Sequence, residues 1–380
     1  AVAKANPKQI TTLADLAAPT VEIGSANPDA AAIGRLTQRA LEASGHWRTL
    51  QPHIKVLKPT VNDVANDVKL GTVDAGIVWD ATVNQYPELA AVRSPELESA
   101  VAEVGVGVLS FSEQPAAALR FARFLASREF GLPVFRTNGF VTVAGDSWTE
   151  QPQVVLYSGG VNRVAIEATL REFETREGVT INRVYNGCGI LTAQIRSGQR
   201  PDAYFACDVS FMTNVAPHFL RPVEISQTRM VILTRPGNPK SIQSLKDLAQ
   251  PGLILGIANE QQSALGALTV RLLRAEGLLD RVLPNVRVQT PTADLLVNQL
   301  RTGALDVALV YAANASQVKG ILEIIELPQD SALATQPYAV GRDSQHPRLM
   351  ERLLQHLRSP ASRARFEQSG FRWRDVPSEQ

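Results

Sequence analysis

Asn6-Pro7-Lys8, followed by Leu13-Ala14-Asp15-Leu16-Ala17-Ala18-Pro19, returns later in the same chain as Asn238-Pro239-Lys240 and Leu245-Lys246-Asp247-Leu248-Ala249-Gln250-Pro251. The displacement that takes Asn6 to Asn238 also takes Gly24 to Gly256, Asn27 to Asn259, Gly34 to Gly266, Gly45 to Gly277, Pro59-Thr60 to Pro291-Thr292, Gly71 to Gly303, Asp74 to Asp306 and Pro115 to Pro347. Towards the end, Asn138-Gly139-Phe140 faces Ser369-Gly370-Phe371, one residue out of step. Self-similarity of this length predicts a duplicated domain rather than a solenoid of short units. Residues 152–375 read as one whole copy. Residues 1–140 match only its latter part and read as an incomplete first copy, with 141–151 as the linker.

Short β-rich runs alternate with amphipathic stretches, the pattern of an α/β fold. In copy two, strands are expected at 154–157, 179–184, 202–206 and 230–234, with helices at 164–177 and 189–197 between them. After the turn Pro236-Gly237-Asn238-Pro239 the pattern restarts. Helices are expected at 241–249, 263–276 and 292–302, alternating with strands at 253–258, 285–289 and 306–311. A strand near 337–341 and helices across 346–369 close the copy. The turn predicts two lobes, 152–234 with 337–375 and 235–336, joined by two crossings that make a hinge over a central cleft. Copy one supplies its second lobe, a return strand Val104–Leu109 and closing helices at 113–137.

Composition excludes several classes. A chain of 380 residues with 44% hydrophobic and 20% charged residues is an ordinary globular protein. A net charge of +1 gives no footprint for nucleic acid or an anionic membrane. No apolar run is long enough to insert into a bilayer. Gly-x-x-x-x-Gly-Lys-Ser/Thr, His-Glu-x-x-His, Gly-x-Ser-x-Gly and Gly-x-Gly-x-x-Gly after a strand are all missing, and carboxylates do not cluster with histidines. No enzyme, cofactor or resident metal is expected.

Four strand-to-helix loops of copy two would face the cleft. The first is Tyr157-Ser158-Gly159-Gly160-Val161-Asn162-Arg163, whose small residues let backbone approach a ligand and whose helix start favours an anion. A tight turn explains it equally well. The second, Asn186-Gly187-Cys188-Gly189, repeats the logic; a thiol there would be activated, but no base accompanies it. The third is Asn259-Glu260-Gln261-Gln262-Ser263-Ala264-Leu265-Gly266, against Asn27-Pro28-Asp29-Ala30-Ala31-Ala32-Ile33-Gly34 in copy one, where plain helix capping suffices. The fourth combines Thr290-Pro291-Thr292-Ala293-Asp294 with Tyr311, whose counterpart in copy one is Trp79. A strand-ending tyrosine also serves packing.

Tyr185-Asn186-Gly187-Cys188-Gly189-Ile190-Leu191-Thr192-Ala193-Gln194-Ile195, then Arg200-Pro201-Asp202-Ala203-Tyr204-Phe205-Ala206-Cys207-Asp208, then Gly303-x-x-Asp306-x-x-Leu309-Val310-Tyr311, resemble the molybdate-binding branch of type II periplasmic binding proteins. The resemblance covers copy two and all that is present of copy one. It implies periplasmic-binding-protein-like two-lobe α/β domains in tandem, and an exported protein that carries a small oxyanion to the membrane permease of an ABC transporter. It implies a periplasmic or extracytoplasmic location, although this chain shows no signal peptide. The family holds its anion with two serines, backbone N–H groups and a tyrosine. The first serine falls on Gly160, or on Ser158 with a shifted register, and the second on Cys188. The backbone donors fall near Leu265 and Ala293, and the tyrosine on Tyr311. Ser158, Gly159, Gly160, Asn162, Arg163, Asn186, Cys188, Gln262, Leu265, Thr292, Ala293 and Tyr311 are therefore the candidate ligand-binding residues. The chain departs from the family in its cysteine and glycine at serine positions and in Arg163, a cation beside the first loop. Cys188 and Cys207 are expected as free thiols near the ligand, with a disulfide as the alternative. A sensing or structural module with a degenerate cleft, and a thiophilic-metal binder using both cysteines, are the competing readings.

Overall fold

The computed structural model of the chain describes residues 1–374; Asp375, the last residue of the expected second copy, lies outside them. The chain divides into two units. Unit 1 is Ala1–Gly107 with Arg128–Ala144, and unit 2 is Val108–Ser127 with the chain from Gly145 onward.

Unit 1 holds strands β1 (Val2–Ala3), β2 (Ile23–Ala26), β3 (Ile54–Lys58), β4 (Ala75–Gly76) and β5 (Leu89–Ala90), in the order β3-β2-β4-β1-β5. The central β2 is buried at every position and runs parallel to both neighbours, as a strand covered on both faces must be. Helices α1 (Ala32–Ala43) and α2 (Val61–Leu70) are the crossovers that parallel pairing requires. α2 starts at Thr60, whose hydroxyl accepts the Asp63 N–H, and stops at Gly71, held left-handed at φ 72°.

Unit 2 holds strands β6 (Gln153–Gly159), β7 (Thr180–Asn186), β8 (Ala203–Phe205), β9 (Val223–Thr234), β10 (Leu255–Ala258), β11 (Val286–Thr290), β12 (Val307–Tyr311), β13 (Glu323–Glu326), β14 (Leu333–Val340) and β15 (Arg372–Trp373). They form one sheet, β11-β10-β12-β9-β14-β8-β6-β7, with β13 and β15 also on β9. Its longer helices are α3 (Pro115–Leu125), α4 (Arg163–Glu177), α5 (Cys188–Arg196), α6 (Ala264–Ala275), α7 (Ala293–Arg301), α8 (Pro347–Leu357) and α9 (Pro360–Gln368). The run β11-β10-β12-β9-β13 has the strand order of unit 1, and the displacement from Asn6 to Asn238 carries β2, β3 and α1 onto β10, β11 and α6. The repeated Asn-Pro-Lys is one local device used twice. Asn6 and Asn238 sit at φ 41° and 45°, and each side chain bonds both backbone groups of the residue four further on, Ile10 and Ile242.

Four sequence expectations are corrected. The first concerns the lobe boundary. Val223–Arg229 of β9 pair with β14, whereas Met230–Thr234 pair with β12, so the chain passes between lobes inside β9 rather than after Thr234. Pro236-Gly237 ends the strand; nothing in a uniformly apolar strand marks where its partner changes. The second concerns Val104–Leu109, which is not a strand and is exposed, Val104 at 72% and Leu109 at 62%. Its counterpart β14 gains its ladder from β8 and β9, and the described residues of unit 1 offer no strands in those places. The third concerns the closing helices. Gly131–Thr137 belongs to unit 1, but α3 belongs to unit 2 and packs on α4. There Arg123 donates to the Glu177 carbonyl at 2.7 Å and its carboxylate at 3.2 Å, while Arg352 reaches the same carboxylate at 3.1 Å. The expected helix 241–249 is only a 3-10 turn, Leu245–Ala249, opened by a Ser244–Asp247 capping box.

Candidate anion site

The four loops converge within unit 2. After β6, Gly160–Asn162 forms one 3-10 turn that leads into α4. Its interior is tied to β8: Asn162 donates to the carbonyls of Phe205 at 3.1 Å and Ala206 at 3.3 Å. Ser158 is fully buried and its hydroxyl donates to the Gly159 carbonyl at 3.3 Å. A methyl on Gly159 would overlap the Cys207 sulfur and lie 2.9 Å from the Cys188 sulfur. After β7, Asn186 accepts the Gly187 N–H at 2.9 Å and α5 begins at Cys188. Across the cleft, α6 begins behind Ser263, α7 behind Thr292, and β12 ends at Tyr311.

A small cavity is lined by Gly160, Asn186 and Gly187 from one side and by Ser263, Leu265, Thr292, Ala293 and Tyr311 from the other. Gly187, Ser263 and Thr292 are the N-caps of three helices, and none uses its side chain to cap its own helix. First-turn N–H groups have no acceptor within their helix, and the helix dipole adds partial positive charge there. Helix starts from both lobes thus face one point, an arrangement suited to an anion. The Tyr311 hydroxyl is buried and has no hydrogen-bond partner among the described residues. Burial, with Asp208 nearby, pushes its pKa well above 10, so it stays a donor.

Size restricts the ligand. The space open to the centre of a water-sized sphere is about 20 Å³. At most this admits a rounded body of about 3 Å radius, given a water radius of about 1.4 Å. A tetrahedral oxyanion is of that size. The lobes meet beside it, where Gly189 donates its N–H to the Gln262 carbonyl at 3.0 Å. Asn259 fixes that loop by accepting the N–H groups of Gln261 and Gln262, both at 3.0 Å.

Of the predicted residues, Gly160, Asn186, Leu265, Thr292, Ala293 and Tyr311 stand in the cavity wall. Ser158, Gly159 and Asn162 lie behind it as supports of the first loop. Arg163 lies outside, exposed, with its guanidinium 5.5 Å from the Tyr185 ring centre. Gln262 contributes its carbonyl to the lobe contact instead. The wall also contains Cys207, Ser263, Asp294 and Asn314, which the sequence reading did not select. Ser263 and Asp294 were within reach, since both belong to loops already singled out. Asn314 carried no signal; it enters because the helical turn after Tyr311 folds back over the site. It donates to Asp294 at 2.8 Å. Burial raises the Asp294 pKa, against the opposing effects of Asn314 and the Arg163 charge.

The cysteines are corrected. Cys188 and Cys207 form a disulfide, with Cα atoms 6.4 Å apart, and no described cysteine is free. Adjacent parallel strands, β6 between β7 and β8, bring the two loop ends together, which sequence spacing could not measure. Cys188 therefore has no S–H to give a ligand, and the thiophilic-metal reading fails with both sulfurs bonded to each other. Among the described residues, no group of three or more His, Cys, Asp or Glu is placed to hold a metal ion. The bridge pins the ends of α5 and β8 under the first loop. Reduction is expected to cost about 3 kcal/mol and to lower the melting temperature by about 6–12 °C. Calorimetry with and without reductant checks this; coincident transitions would show the bridge to be dispensable.

Unit 1 presents different chemistry at the corresponding positions. Ala31 caps α1 where Ser263 caps α6, Trp79 stands where Tyr311 does, and the Thr60 hydroxyl is already engaged with Asp63. Leu295 takes the place of Asp63 in unit 2, which leaves Thr292 without that partner.

The chain matches the family described as bacterial extracellular solute-binding protein over residues 1–141 and 154–372. It is 29% identical over 198 residues to the molybdate-binding protein ModA of Mycobacterium tuberculosis, covering 51% of this chain and 74% of that protein. Among solved structures, the periplasmic molybdate-binding protein of Azotobacter vinelandii is 18% identical with a TM-score of 0.52, covering 59% of this chain and 100% of that one. The sulfate-binding protein SubI of Mycobacterium tuberculosis is 16% identical with a TM-score of 0.53, covering 59% and 88%. At such identities the structural likeness shows the fold, that of periplasmic binding proteins. No helix among the described residues is long and apolar enough to cross a membrane.

Proposed function

We propose that this chain, which belongs to the bacterial extracellular solute-binding protein family, captures a small tetrahedral oxyanion, of the molybdate or tungstate shape class, in the cleft of unit 2. It hands the anion to the membrane permease of an ABC transporter, outside the cytoplasm, and does no chemistry on it. The observation that carries this reading is the convergence of helix starts from both lobes, those behind Ser263 and Thr292 without side-chain caps, with the buried Tyr311 hydroxyl, on a cavity of oxyanion size. Donors split between lobes favour the closed arrangement when ligand is present, because only then do all of them engage one anion. The chain is a tandem in which unit 1 repeats the β9-to-β13 part of unit 2. Unit 1 does not bind the same anion, since Ala31, the engaged Thr60 and Trp79 remove the donors that unit 2 presents.

A thermal-shift panel of molybdate, tungstate, sulfate, phosphate and arsenate tests the reading. A ligand of the folded state alone raises the melting temperature at high excess. No shift from any oxyanion would leave the degenerate-module reading in its place. Tyr311→Phe is expected to weaken the bound anion by about 2 kcal/mol, the contribution of a hydrogen bond to a charged group. Calorimetric titration checks this, and unchanged affinity would remove Tyr311 from the site.

A further inference from the structure

The disulfide belongs to the cavity wall. Cys207 lines the cavity, and so does Gly187, the cap residue immediately before Cys188 opens α5. The bridge therefore joins two wall segments of the first lobe that β6 keeps apart: the start of α5 behind β7, and the chain leaving β8. The groups around it are committed. The Cys207 N–H donates to the Cys188 sulfur at 3.1 Å, and the Cys207 carbonyl accepts from the Gln336 amide at 3.0 Å. Gln336, fully buried in β14, accepts the Ser226 hydroxyl of β9 at 2.9 Å. Asn162 of the first loop donates to the carbonyls of Phe205 and Ala206, just before the cysteine. Gly159 of the same loop leaves no space for a methyl beside either sulfur.

What α5 offers an anion is its first-turn N–H groups and the positive end of its dipole, and both fade within a turn. Their worth depends on where the first turn stands. Leu191 and Ile195 bury the turns that follow. The first turn is held across the cleft by the Gly189 N–H on the Gln262 carbonyl, a contact that goes when the lobes part. The bridge at Cys188 remains in either arrangement. With the S–S bond broken, α5 and the end of β8 regain freedom that a bound anion must remove again, at a cost in affinity.

Resting on the oxyanion reading above, we propose that the Cys188–Cys207 bridge is a positioning element of the anion site, so that the oxidised chain holds its anion tightly and the dithiol-reduced chain holds it weakly. The step between the two is a two-electron reduction. The dithiol gives up two electrons and two protons and closes to its own disulfide, while the Cys188–Cys207 bond breaks to two thiols. This effect acts on the folded state and is separate from the stability that the bridge gives the fold.

Titration calorimetry of the full chain at neutral pH tests this, with molybdate, sulfate and phosphate as probes. Oxidised chain is compared with chain reduced by dithiothreitol and then freed of the reductant under nitrogen. The anion that the oxidised chain binds is expected to bind the reduced chain at least about tenfold more weakly. Cys188→Ala combined with Cys207→Ala is expected to show the same loss and no response to dithiol. Arg123→Met, a destabilising change outside the cavity wall, is expected to lower the melting temperature and keep the parent's affinity. Equal or tighter binding by the reduced chain would overturn the positioning role while leaving the oxyanion function standing. So would an equal loss of affinity in Arg123→Met, which would trace the effect to stability alone. A reduced chain and a double variant without a cooperative melting transition would overturn it too, since the bridge would then hold the fold as a whole. Binding of none of the probes by the oxidised chain would overturn the function itself.

Discussion

Gly189→Ala is expected to cut anion affinity by about a hundredfold, or about 3 kcal/mol, with little change in the melting temperature of the unliganded protein. A methyl at this position would overlap the Gln261 carbonyl oxygen and lie 2.8 Å from the carbonyl carbons of Gln261 and Gln262. These are backbone atoms, held by Asn259, so no side chain can swing aside. The lobes must part, and the Gly189 hydrogen bond to Gln262 goes with them. The cost stands at the upper end of the range for overpacking, about 1–3 kcal/mol. It falls on the liganded state, because only there must α5 and α6 start around one anion. Gly187→Ala should behave alike, since its methyl would overlap the carbonyls of Gln262 and Pro291. Gly105→Ala is the control, where a methyl meets nothing within 4 Å. Calorimetry with whichever oxyanion the parent binds decides the matter. Parent-like affinity in Gly189→Ala would mean that lobe contact plays no part in binding.

Glu177→Ala is expected to destabilise the protein by about 3–5 kcal/mol, the effect of removing one partner from a buried ion pair. The Glu177 side chain is 3% exposed and the Arg123 side chain 7%. Without the carboxylate, Arg123 and Arg352 lose the counter-charge they share and repel each other, with Asp146 still near both. Arg123→Met should cost less, because Arg352 still satisfies Glu177. The difference reflects how α3 is held: it lies on α4 through this charge cluster, beside α8 and α9. Melting curves of the two variants test the ordering. A Glu177→Ala transition within about 1 °C of the parent would show that the cluster contributes nothing.

Local structure in unit 2 follows the pattern of residues closely. The strand expected at 285–289 is Val286–Thr290, and the helix expected at 292–302 is Ala293–Arg301. Periodicity, N-caps and turn glycines are short-range properties, so they are legible wherever tertiary contacts agree with them. The internal match of Asn6 to Asn238 likewise corresponds to two segments with the same left-handed asparagine. Six of the candidate residues reached the cavity wall because strand-to-helix loops fix which backbone groups point outward.

Tertiary structure decided the rest. The passage between lobes inside β9 depends on which strand lies alongside Met230, and an apolar strand reads the same beside either partner. Val104–Leu109 has the composition of a strand yet forms none, because a strand exists only through a neighbour's hydrogen bonds. The cysteines pair because β6 brings β7 and β8 within bridging distance, which a separation of 19 residues does not reveal. Asn314 joins the site, and α3 crosses from the copy it was read with to the other unit, through contacts between residues far apart in the chain. Which residues meet across such distances is set by packing and charge pairing in three dimensions, and no local pattern records it.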